Sequence, residues 1–328
     1  MLHACDHKSA LTFTIFVVGL FVEGITCYGQ SDLEVRAFEG DSSGVVAVVV
    51  TPNGDHVISA DRDHTAKLWD LETGALLRTF EGHLDQVLTV AVTPNGQYVV
   101  SGSADSTIKL WDVGTGVLIR SFEGHVNHVN KIVVTQDGRR VVSGSRDNTV
   151  KLWDLETGAL IHTFDGHTSH VHDVAVTPDG RHVVSGSLDT TVKLWDLESG
   201  TLVRTFGESS TVIFAITVTP DGRHVVSGDH HAAVKLWDLE SGELIRTFED
   251  HSDHVYGIAV TSDGRHVVSG SRDKTVKLWD LESGALIQTF EGHTNTITSV
   301  AVTPDGHYAV SGGYDRTVRL WDIKALAH

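Results

Sequence analysis

From residue 31 onward the chain alternates short apolar runs with turn-forming residues. In the stretch that begins at His125 the runs are KIVV, RRVVSG, TVKLWD and ALIHTF. Each is rich in Val, Ile, Leu and Thr and too short for a buried helix, so each predicts a strand. The segments between them carry turn chemistry: TPNG at Thr51 and Thr93, TQDG at Thr135, TPDG at Thr177, Thr219 and Thr303, and TSDG at Thr261. All end in Asn-Gly or Asp-Gly, the pair that tolerates positive φ in tight hairpins. LETG or LESG plays the same part further on. The pattern predicts a four-stranded antiparallel meander, strands a, b, c and d. The runs are continuous rather than alternating, as in a sheet buried on both faces.

This unit recurs. Trp-Asp pairs stand at Trp69, Trp111, Trp153, Trp195, Trp237, Trp279 and Trp321, always 42 residues apart, and these are the only tryptophans. A period of that length marks an architecture of stacked repeats. Gly-His stands at Gly82, Gly124, Gly166 and Gly292, and Ser-Gly-Ser-x-Asp at Ser101, Ser143, Ser185 and Ser269. With these motifs the chain resembles the WD-repeat β-propeller family over residues 31–328. The resemblance implies an all-β, seven-bladed β-propeller around a central channel. It also implies a structural polar tetrad in each blade, in blade 3 His125, Ser143, Asp147 and Trp153. The chain ends just after strand c of blade 7. Leu33–Gly40 aligns with Ala75–Gly82, so an N-terminal strand (33–38) is expected to complete the last blade.

Composition narrows the functions. The 328 residues carry a formal net charge of −18 and no basic run. That argues against a phosphate-backbone or anionic-membrane surface and leaves nucleic acid and membrane contact by the ring unsupported. The two cysteines, Cys5 and Cys27, both precede the ring, so neither disulfides nor thiolate metal sites hold it. Residues 10–22, ALTFTIFVVGLFV, are too short to span a bilayer and match the apolar core of a secretory signal peptide. An uncleaved anchor and an extension without structural meaning are the alternatives. Export follows from the first reading and a cytoplasmic location from the last.

Variation among the seven copies points to a site. One column lies five residues after the tetrad His: Val46, Leu88, Asn130, His172, Phe214, Tyr256 and Thr298. A second lies two residues earlier: Gly44, Gln86, His128, His170, Val212, His254 and Thr296. A third precedes the tetrad Asp: Arg62, Ala104, Arg146, Leu188, His230, Arg272 and Tyr314. The family resemblance places all three on one rim, at the d–a and b–c loops. His170, His172, Phe214, His230, Tyr256, Arg272 and Tyr314 concentrate on blades 4 to 7 and are the candidate binding residues, being of the amphipathic kind that dominates interface energetics. Blade 5 is irregular, with Ser209 at the tetrad His position and His231 at the Asp position; blade 1 has Asp41 at the His position.

Catalytic signatures are few. Gly40-Asp-Ser42-Ser-Gly44 matches the surroundings of a trypsin-like nucleophile, but it falls in a d–a loop with no suitable His and Asp upstream. His170 and His172, with His128 one blade away, raise a metal hypothesis. No phosphate loop, dinucleotide fingerprint or CxxC is present, and no cofactor is implied. The reading is therefore a non-enzymatic, monomeric ring that presents its d–a/b–c loop face to a protein or peptide partner. A small-ligand or metal binder at the channel mouth is the alternative.

Overall fold

In a computed structural model the described residues are 34–38, 43–206 and 211–326. The proposed signal segment 1–30, Asp41, Ser42 and Ser209 lie outside them. The described residues form seven four-stranded antiparallel sheets, with a 3-10 turn at Lys324–Leu326 as the helical element among them. Among the described residues no helix is long and apolar enough to cross a membrane. In blade 3 the strands are a (Val129–Val134), b (Arg140–Ser145), c (Val150–Asp154) and d (Leu160–Phe164), and the other blades repeat the arrangement. The fourth strand beside the last c strand, Val318–Asp322, is the N-terminal Glu34–Phe38.

Burial follows from this stacking. Strands b and c are buried on both faces, while strand d, at the outer edge, exposes its first two residues. Each apolar core lies between two blades. Val142, Val150, Leu152 and Phe164 of blade 3, for instance, pack with Val171, Val174, Val183 and Trp195 of blade 4. A single blade cannot cover its faces alone, so each depends on its neighbours. The core between blades 7 and 1 includes Phe38, which stacks on Trp69 with ring centroids 6.4 Å apart.

The a–b turns differ in detail from the sequence expectation. Only the glycine takes positive φ, as at Gly138 (φ 69°). The preceding Asp137 instead accepts the Thr135 hydroxyl at 2.5 Å, and Thr135 in turn caps Arg140 N. The acidic residue thus acts through its side chain, locking the turn from within. Positive φ on non-glycine residues occurs in the b–c turns, once per blade: His64, Ser106, Asn148, Thr190, Ala232, Lys274 and Arg316.

Candidate functional site

Every strand a carries a β-bulge at the same place. In blade 3 Val129 pairs with Ser145 and Lys131 with Gly144, leaving Asn130 unpaired. The residues skipped in the other blades are Val46, Leu88, His172, Phe214, Tyr256 and Thr298. This is the first variable column. It lies within strand a rather than on the d–a loop where the resemblance put it. A bulge re-aims a side chain, and all seven bulge residues line one cavity of about 450 Å³.

Of the candidate residues, His172, Phe214, Tyr256, Arg272 and Tyr314 also line that cavity. Phe214 is the hub of an aromatic cluster. Its ring lies 5.1 Å from His172, 4.8 Å from Tyr256, 5.7 Å from His254 and 6.2 Å from His230. His230 and His254 lie 3.9 Å apart, and His254 Nδ1 donates to the His230 carbonyl at 2.7 Å. Opposite, the Arg62 guanidinium sits 4.0 Å over the Tyr314 ring, a cation–π contact. Burial, with Arg146 and His170 adding to it, lowers the His172 imidazole to about 4, so it is neutral at pH 7. Burial raises the Tyr256 phenol.

His170 falls outside the cavity lining. It sits in the loop before strand a of blade 4, Val171–Val176, so the i, i+2 relation to His172 does not lie along one strand. Among the described residues no three His, Cys, Asp or Glu are grouped as a metal ion requires. The metal alternative thus has no geometric support. His254 belongs to the cluster but stood only in the second column. Lys131 and Asp173, paired at 3.2 Å on the channel wall, occupy the position after the bulge, a column that varies equally: Ala47, Thr89, Lys131, Asp173, Ala215, Gly257, Ser299.

The tetrads are complete in blades 2, 3, 4, 6 and 7. In blade 3 Trp153 Nε1 donates to Ser143 Oγ at 2.8 Å, Ser143 Oγ lies 2.7 Å from His125 Nε2, and His125 Nδ1 lies 2.7 Å from Asp147 Oδ2. Burial alone raises the Asp147 carboxyl. The hydrogen bonds from His125 and Thr149 outweigh it and hold the group far below the usual carboxylate range. Burial lowers His125 despite Asp147. A neutral imidazole protonated at Nδ1 satisfies every partner. These distances match an Asp–His–Ser relay, yet the Ser143 residue has 0% exposure, and its oxygen already takes the indole N–H. No substrate carbonyl can reach it. In blade 5 the Trp237–Ser227 bond survives at 2.8 Å, while Asp229 accepts His231 N and Ala233 N.

Seven four-stranded sheets stacked around a channel define a β-propeller. A family model for the WD domain, G-beta repeat, matches residues 33–70, 74–112, 116–154, 158–196, 200–238, 242–280 and 284–322. The chain belongs to this family. Each match runs from a d strand to the next c strand. No curated protein matches the chain. WD40 propellers generally serve as protein-interaction scaffolds and are typically non-enzymatic.

Proposed function

We propose that the protein is a monomeric, non-enzymatic scaffold that docks a protein or peptide partner on the end of the channel formed by the d–a and b–c loops. One observation carries this reading: the copies differ most where the bulge residues of strand a converge on the cavity, and hardly at all in strands b and c. The Phe214 cluster supplies rigid aromatic area of the kind that anchors interfaces, each such side chain worth about 2 kcal/mol or more when truncated. The net charge of −18 argues against nucleic acid as the partner.

The test is a pull-down from host lysate and culture fractions, comparing the chain from residue 31 with a folded Phe214→Ala/Tyr256→Ala/Tyr314→Ala variant. A protein retained by the parent and lost by the variant supports the reading. Equal recovery of everything, or of nothing, discards this face.

A further inference from the structure

Arg146 lines the cavity with its Nε donated to Asn130 Oδ1 at 3.2 Å. Asn130 is itself fixed, because it is the bulge residue of blade 3 and its Nδ2 donates to Val171 O across the blade boundary at 2.8 Å. The guanidinium is therefore held by one edge. Among the described residues no acceptor takes its terminal nitrogens and no carboxylate pairs with it. In a chain with 43 acidic and 25 basic residues, a partly buried arginine without a carboxylate is an unfilled position.

The surroundings leave that charge uncompensated. Asp173 is buried, but its oxygens are taken by Lys131 Nζ at 3.2 Å, Ile216 N at 2.8 Å and Val174 N at 2.8 Å. It does not compete for Arg146. Burial and then the charge of Arg146 lower the His128 imidazole and bring that of His172 to about 4. His128 is tied to Arg146 through its carbonyl, which accepts Arg146 N at 2.9 Å. Its Nδ1 is buried with no partner among the described residues. The same cavity is lined by Phe214, whose ring lies 5.1 Å from that of His172, and by Tyr256.

We propose that the blade 3–blade 4 side of the mouth receives an anionic side chain of a peptide partner, carboxylate or phosphoryl, against the free edge of Arg146. An apolar residue of the same peptide lies on Phe214 and Tyr256. This rests on reading the channel mouth as a peptide-docking face. The fork of a guanidinium matches two oxygens of either anion, and Asn130 fixes its orientation before the ligand arrives, which lowers the cost of binding. A single such arginine does not track a nucleic-acid backbone, which needs many phosphate contacts.

Selection of random heptapeptides displayed on phage against the full chain tests the proposal, followed by fluorescence-polarisation titration of the synthetic winners. The expected winners carry Asp or Glu beside a Phe, Leu or Trp. Their affinity falls by about tenfold or more in Arg146→Ala, as for a lost charge-assisted hydrogen bond, and by less in Arg146→Lys. Arg146→Gln repeats the measurement if the alanine variant melts lower than wild type. Replacing the acidic residue of a winner by phosphoserine separates the two anions: tighter binding assigns phosphoryl, equal or weaker binding carboxylate. Winners without an acidic residue that bind Arg146→Ala as well as wild type, yet lose Phe214→Ala, overturn the anion assignment and leave the docking face standing. Winners indifferent to both variants, or no enrichment, overturn both.

Discussion

Lys235 places its Nζ 2.8 Å from Asp229 Oδ2 inside blade 5, where Asp229 has no exposed surface. Blade 1 repeats the pair, with Lys67 2.9 Å from Asp61. These are the two blades that lack the tetrad His. In the intact blades 2, 3, 4 and 6 a serine occupies the Asp position, and in blade 7 Gly313 does. Ser145 Oγ, for example, donates to the Asn127 carbonyl, and the lysine turns outward to strand d, as Lys151 does to Thr163 Oγ1 at 2.9 Å. An ion pair thus replaces the histidine network as the polar lock between strands b and c. Blade 5 is a differently wired blade rather than an unlocked one.

Removing one partner of this pair strands the other charge. Asp229→Ala is expected to cost about 3 kcal/mol, the lower end for breaking a buried pair, because Lys235 retains some exposure. The double variant Asp229→Ala/Lys235→Met is expected to recover most of it. Urea denaturation of the four-member cycle measures the coupling. Additive losses would show that the pair contributes no interaction of its own.

Protonation gives the second expectation. His172 is lowered to about 4 in the folded chain against about 6.5 unfolded. Between those values the unfolded state binds the extra proton, so stability is full above about pH 6.5 and declines as the pH falls toward 4. Denaturation midpoints at pH 7 and pH 5 are expected to differ, and the difference is expected to shrink in His172→Phe. An unchanged difference would place the titration elsewhere. The tetrad aspartates, held below their usual range, add a further loss at still lower pH, below about 4.

The blades were legible in the sequence because the same Trp and Ser recur at fixed spacing in all seven copies, and Gly before the tetrad His position in five. At Gly124, with φ 146°, an added Cβ would stand 3.1 Å from Trp153 Cη2. The bulges were not legible, since their residues are Val, Leu, Asn, His, Phe, Tyr and Thr, without a common chemistry, and a bulge is a property of register rather than composition. Lys131 and Asp173 were missed for another reason: they stand 42 residues apart and meet only across a blade boundary. Asp61 and Asp229, at the ends of their b strands, carry no signal of their own, because the lysines they pair with stand six residues on, across the b–c turn.

Thr190 offers a direct gain in stability. It holds φ at 70° in the b–c turn of blade 4, with its N–H donated to Ser187 O at 3.2 Å. A β-branched residue in the left-handed region is strained by about 1 to 2 kcal/mol. Thr190→Gly is expected to relieve that strain, offset in part by unfolded-state entropy, for a net gain of about 1 kcal/mol. Asn148→Gly, at φ 71°, is expected to gain less because Asn tolerates this region. Chemical denaturation of both variants compares them, and equal changes would mean that side-chain branching is not the source of the strain.

The N-terminal strand provides the last expectation. Glu34–Phe38 pairs with Val318–Asp322 of blade 7, and Phe38 is buried against Trp69 of blade 1. Deleting residues 31–40 would bare a strand edge and one face of an indole at the same junction. An exposed edge strand invites pairing with other chains, and losing a buried phenylalanine alone costs about 3 to 5 kcal/mol. The truncated chain is therefore expected to melt lower and to self-associate. Amide exchange should rise first in Val318–Asp322, whose outer hydrogen bonds are lost, and then in blade 1, whose core is opened, while blades 3 and 4 keep their protection. Uniform exchange across all blades would mean that the ring opens cooperatively from any point. Melting identical to the full chain would mean that the strand does not close the ring.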